Sequence, residues 1–192
     1  VYKRQIFLLA ALNDLDLKSA DVKNAFLTAP NKEKVWIRAG PEFGASEGCV
    51  FIVRKALYGL KSAGASFRSY LAKRLDEIGF KSSRADPDVW LRPSSKPDGE
   101  QFYEYMMCYV DDVIAVSMDA TKTLREVQRD TFRYKNDVIE EPKSYLGAKI
   151  MKKTINDHQC WTISSQAYIE AAIETLKTSL KEKPWKLPSP LK

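Results

Sequence analysis

The chain has 192 residues, 44% of them hydrophobic and 11% aromatic, enough for one domain with a sizeable core and hardly two. A net charge of +6 suits a polyanionic partner, although mildly basic domains are common. Cys49, Cys108, Cys160 and a lone His158 form no zinc site of the usual spacing. The thiols read as reduced, intracellular and individually buried as small hydrophobes. No stretch approaches the roughly 18 apolar residues of a membrane span, and no secretory signal is visible.

In chain order, residues 1–5 read as a scar of sequencing-library preparation, and 6–192 as the natural chain. Residues 6–12 are an apolar run suited to the end of a helix. Residues 15–22 alternate as a strand that carries Asp21 to its end. Short β-type segments at 34–38 and 49–53 flank the turn-rich 41–48. Residues 66–78 predict a helix, with Phe67, Tyr70, Leu71, Leu75 and Ile78 at helical spacing and Gly79 as its stop. Residues 94–100, rich in Pro and Ser, predict an exposed loop. The runs 102–108 and 113–117 predict a hairpin with Tyr109-Val110-Asp111-Asp112 at its tip. A second helix is expected over 121–134, with Leu124 and Val127 inward. A second hairpin, 145–152 with 159–163, follows around Asn156-Asp157. Ser164 or Ser165 then caps a last helix carrying Tyr168, Ile169, Ile173 and Leu176. The order implies an α+β fold with helices against one face of a mostly antiparallel sheet.

Asp111 and Asp112 are adjacent carboxylates on a predicted turn. Crowding like charges is costly unless a cation compensates them. Mg²⁺ takes hard oxygen ligands, one or two carboxylates with substrate phosphates and water. A solvated turn explains the pair equally well, since Asp is common in turns. Asp21 supplies a third carboxylate at the end of another strand, and it could instead cap a helix beginning near Val22. Two metal ions roughly 3.5–4 Å apart need carboxylates shared between separate segments, and these three residues would provide them.

Taken together, the motifs resemble reverse transcriptases of the Ty1/copia retrotransposon type over nearly the whole chain. Asp21-Val22-Lys23-Asn24-Ala25-Phe26-Leu27 is similar to the family's D-V-K-x-A-F-L block, and Ala56-Leu57-Tyr58-Gly59-Leu60-Lys61 to its A-L-Y-G-L-K block. Gly79-Phe80 with Asp86-Pro87, the Tyr109-Val110-Asp111-Asp112 tetrapeptide, Tyr145-Leu146-Gly147 and Ser165-Gln166 with Tyr168-Ile169 follow in the family's order. Two departures stand out. Ser62-Ala63-Gly64 replaces the usual Q-A-P, and Thr28-Ala29-Pro30 lies where Asn-Gly is expected after A-F-L.

The resemblance implies the palm of a right-handed polymerase with part of the fingers, truncated at both ends, lacking the upstream basic strand, and inactive or nearly so by itself. It implies two-metal nucleotidyl transfer onto a primer 3′-hydroxyl, with two Mg²⁺ ions, or Mn²⁺ as substitute, held by Asp21, Asp111 and Asp112. Nucleotide contacts would fall to the backbone of Val22 and Lys23, which would approach the triphosphate, and to Phe26, Tyr58, Gly59 and Lys61, with Phe26 beneath the sugar as a barrier to a 2′-hydroxyl. By its residues alone Phe26 reads as ordinary core. Primer and template contacts would fall to Tyr109, Leu146, Gly147 and Lys149, while Lys135 reads as a surface lysine rather than a general acid. Implied partners are an RNA template, a DNA primer, deoxynucleoside triphosphates and the RNase H and integrase parts of a polyprotein, with no membrane. The implied location is cytoplasmic, in virus-like particles, or nuclear. The alternative is a catalytically inactive relic that at most binds nucleic acid.

Overall fold

The computed structural model describes residues 2–128 and 132–182, so that residue 1, 129–131 and 183–192, which include the Pro-rich end at 188–192, lie outside it. The chain divides into two compact units, Val1–Glu141 and Pro142–Lys192, where its length leads to an expectation of one. The reason is hydrogen bonding: the strands of the second unit form a sheet of their own.

In the first unit, α1 (Tyr2–Leu12) precedes β1 (Asp16–Asp21), α2 (Ala25–Thr28) and a two-stranded ribbon of β2 (Trp36–Arg38) and β3 (Val50–Ile52). Then come α3 (Ala63–Glu77), β4 (Lys81–Ser82), β5 (Val89–Ser95), β6 (Gln101–Tyr109), β7 (Asp112–Ser117) and α4 (Ala120–Val127). The main sheet is antiparallel throughout, in the order β1-β7-β6-β5-β4. Met106, Cys108, Val113 and Ala115 bury one face against Phe67, Leu71 and Leu75 of α3 and Leu124 and Val127 of α4. Ile114 and Val116, which point to the opposite face, are equally buried. β7 is therefore covered on both sides, not one, and α1 also packs against it. A strand buried on both faces reads as a continuous apolar run, which 113–116 is.

α3 ends in a Schellman motif. Gly79 N–H donates to the Asp76 carbonyl at 3.0 Å and Phe80 N–H to the Leu75 carbonyl at 3.0 Å, with Phe80 and Leu75 fully buried. The other helix boundary departs from expectation. α4 is capped by the Asp119 carboxylate, which accepts from Lys122 N–H at 2.8 Å, and it stops at Val127 instead of reaching 134. Phe132 and Tyr134 are buried on either side of an exposed Arg133, a period of two that belongs to extended chain. Arg74 of α3 donates to the Val127 carbonyl at 3.0 Å and also to the Glu126 carbonyl, satisfying groups that the short helix leaves over.

Residues 94 and 95 do not join the predicted loop. They continue β5 opposite Phe102 and Gln101, and only 96–100 turn. Pro93 is tolerated because β4 pairs with β5 only at Trp90 and Leu91, leaving an edge beyond. Cys49 is exposed rather than buried, since its ribbon carries no core.

The second unit holds β8 (Ser144–Tyr145), β9 (Ala148–Ile155), β10 (His158–Ser164) and α5 (Gln166–Glu182). Asn156 and Asp157, at φ +50° and +64°, make the two-residue turn that their types favour between β9 and β10. Ser164 Oγ accepts from Gln166 N–H at 3.3 Å at the start of α5. Among the described residues no helix is long and apolar enough to cross a membrane.

The α3 stop yields a stability test. Gly79 sits at φ +90°, and a Cβ there would meet Arg92 Cδ at 3.4 Å. Gly79→Ala should destabilise the first unit by about 1–2 kcal/mol, read as a lower urea midpoint with unchanged slope.

Candidate active site

The acidic hairpin is set by pairing register. Tyr109 lies opposite Asp112, so Val110 and Asp111 alone turn the chain between β6 and β7. Such a tight turn needs a positive φ, and Val110 supplies it at +51°. Glycine normally serves there; a β-branched residue is strained by about 1–3 kcal/mol. The flanking strands, buried along most of their length, impose the conformation.

Asp21 is the last residue of β1 and lies directly across from Asp112 of β7. Just beyond, Val22 N–H donates to the Asp111 carbonyl at 2.7 Å. Ninety residues of sequence separation (111 − 21) thus close to adjacent strand ends. Directly opposed like charges repel. The Asp112 carboxyl is held above the usual carboxylate range by partial burial first, then by the charges of Asp111 and Asp21. Asp21 does not cap a helix: α2 starts only at Ala25, after Asn24 in the left-handed conformation.

Among the described residues no group of three acidic, histidine or cysteine side chains closes into a metal cage. The donor set nevertheless suits a hard divalent cation. It is all carboxylate oxygen, drawn from the end of β1, from the tip of the β6–β7 hairpin and from the first residue of β7. The Lys135 ammonium, 66% exposed in its side chain, lies 3.9 Å from Asp21 Oδ2. From the sequence Lys135 reads as a surface lysine rather than a general acid, which agrees with this exposure but does not foresee the neighbour. Its approach to Asp21 follows from the extended segment after α4, where Tyr134 bridges to Val22 and the Arg133 carbonyl accepts from Lys23 N–H at 2.9 Å. The alternation of Phe132 and Tyr134 was the available signal.

The remaining candidates fall into three places. Val22 is buried, and its amide and that of Lys23 are engaged by the Asp111 and Arg133 carbonyls. These two amides are therefore already occupied, while the Lys23 side chain is exposed. Phe26, on α2, is half-buried beside the α3 core, with the Tyr58 ring 4.7 Å and the Phe67 ring 6.2 Å away. Tyr58, Gly59 and Lys61 are exposed in the loop before α3. Gly59 is at φ +94° with open space where a Cβ would stand, so its backbone angle, not close packing, is what calls for glycine. Tyr109 is exposed at the hairpin tip. Leu146 and Gly147, at φ +51° and +74°, form the turn between β8 and β9 of the second unit, and Lys149 is exposed on β9.

A family model described as "Reverse transcriptase (RNA-dependent DNA polymerase)" matches residues 3–184, and the chain belongs to this family. It is 27% identical over 175 residues to the "Retrovirus-related Pol polyprotein from transposon TNT 1-94" of Nicotiana tabacum, covering 89% of this chain and 13% of that protein. It is 28% identical to the transposon RE1 Pol polyprotein of Arabidopsis thaliana, covering 80% of this chain and 10% of the relative. It is likewise 28% identical to the "Transposon Ty1-GR3 Gag-Pol polyprotein" of Saccharomyces cerevisiae, over 68% of this chain and 7% of the relative. The chain is thus a distant homologue of Ty1/copia-type polyproteins and spans about a tenth of their length.

The strained tip is testable without any assay of activity. Val110→Gly should raise the stability of the domain by about 1 kcal/mol, because glycine adopts positive φ freely and Val110 is exposed, so no core is lost. A rise in thermal midpoint is the expected readout.

Proposed function

We propose that the chain is the palm, with part of the fingers, of a copia-type reverse transcriptase. It extends a DNA primer on an RNA template with deoxynucleoside triphosphates. The observation that carries this reading is the register of β1 on β7, which sets Asp21 opposite Asp112 and ties Val22 to Asp111. The RNase H and integrase parts of the same polyprotein are its companions, and virus-like particles in the cytoplasm, or the nucleus, its place of work.

Asp21, Asp111 and Asp112 would hold two Mg²⁺ ions, or Mn²⁺, which when bound neutralise phosphate charge and favour the alkoxide of the primer 3′-hydroxyl. The chain's own contribution is positioning. The paired ends of β1 and β7 fix the carboxylates before substrate arrives, so little reorganisation remains at the moment of reaction. The Lys23 side chain attracts the triphosphate, and Phe26 lies beneath the sugar, where a ring excludes a 2′-hydroxyl. In the first unit, exposed Tyr109 would meet sugar or base of the primer–template; in the second, the exposed Leu146-Gly147 turn and Lys149 would meet sugar and phosphate.

The test is primer extension by a Pol protein that carries this domain. Asp111→Asn should lower Mg²⁺-dependent incorporation by at least about 10²–10³-fold while leaving the thermal midpoint nearly unchanged. Undiminished extension would remove Asp111 from the metal site, and a wild-type protein without any extension would favour the relic. Phe26→Ala should retain extension and incorporate ribonucleotides more readily, measured as the ratio of kcat/KM for deoxy- over ribonucleotides.

A further inference from the structure

A steric gate discriminates only as well as its ring is held, and the surroundings of Phe26 are uneven. One flank is open: a cavity of about 240 Å³ lies between Phe26, Gly64, Phe67, Leu71, Tyr109 and Val110. Phe26 is therefore not wedged by core on that side. Phe67 meets it edge-on at 6.2 Å, near the outer limit for aromatic contact. The tightest aromatic neighbour is Tyr58, with ring centroids 4.7 Å apart and planes tilted by 45°. Tyr58 itself is 64% exposed and reaches Phe26 from the loop before α3. An exposed aromatic ring gains little from burial, so the contact with Phe26 is what gives the Tyr58 ring a defined place.

We propose that Tyr58 is the positioning residue of the sugar gate. Its ring contact holds Phe26 in place beside the open cavity and so sets how strictly nucleotides bearing a 2′-hydroxyl are rejected. This rests on the reading of Phe26 as the gate. It differs from a direct nucleotide contact by Tyr58, because the effect passes through Phe26. The contact acts through the rings, so the bracing requires the Tyr58 ring and not its hydroxyl.

Selectivity in a Pol protein carrying this domain decides the matter, measured as kcat/KM for a deoxynucleotide over that for its ribonucleotide, with kcat and KM resolved separately. Tyr58→Ala should lower the ratio by roughly 3- to 10-fold, the range of an aromatic pair, chiefly through a lower ribonucleotide KM. Tyr58→Phe, which keeps the ring, should preserve the ratio. In a Phe26→Ala background, Tyr58→Ala should have no further effect, since the residue it braces is gone. Because Tyr58 is largely exposed, its truncation opens no core void, and an unchanged thermal midpoint verifies folding. If Phe26→Ala lowers the ratio while Tyr58→Ala does not, the bracing is overturned and the gate stands. If the two losses multiply in the double variant, Tyr58 acts on the nucleotide directly and the proposal is again overturned. If Phe26→Ala leaves the ratio unchanged, the gate itself falls, and the bracing with it.

Discussion

Everything at the site depends on the register of β1 on β7. Because side chains alternate with a period of two, a slip of one residue would turn Asp21 to the opposite face and move Leu17 out of the core. The slip is resisted from both sides. Val113 to Ser117 are buried on both faces, so β7 cannot shift without exposing the centre of the domain. Ser19 adds a local lock, exchanging backbone hydrogen bonds with Glu140 at 2.7 and 3.1 Å. The acids are thus placed by core packing several residues away from them.

This placement has a local cost that the core sustains. Asp21 and Asp112 oppose one another across the strands, the Asp112 carboxyl is pushed upward by burial and by its neighbours, and Val110 takes a strained angle. An isolated hairpin would relax all three. Held between α3, α4 and the rest of the sheet it cannot. Charges elsewhere in the domain are treated differently. Arg92 donates to Glu104 at 2.6 Å, to Glu126 at 2.7 Å and to the Ile78 carbonyl at 2.8 Å, with its guanidinium 4.6 Å from the Phe80 ring centroid. There each largely buried charge has its partners, whereas at the strand ends Lys135 approaches Asp21 only at 3.9 Å and from an exposed position.

Much of this was legible from residue types. The runs on either side of Tyr109-Val110-Asp111-Asp112 pair as a hairpin because both are apolar and the tip is not. Asn156-Asp157 turns the next hairpin because those residues accept positive φ, and Gly79 ends α3 for the same reason. Other features were hidden by competing signals. Phe132 and Tyr134 fit a helical reading as long as Leu124 and Val127 set the period, and only packing against Val22 decides for extended chain. Pro93 and its serines resemble a loop, yet pairing with β6 holds them in the sheet where β4 has ended.

The sequence by itself determined the family, the identities of the acidic residues and the positions of most turns, since these rest on local chemistry and on motifs read in order. It could not say that Asp21 lies across from Asp112, that the amides of Val22 and Lys23 are already engaged, or that Lys135 stands beside Asp21. Nor could it show Tyr58 resting on Phe26 beside a cavity. Those are relations between segments far apart in the chain. Only strand register and helix packing bring such segments together, and both are decided by burial across the whole domain.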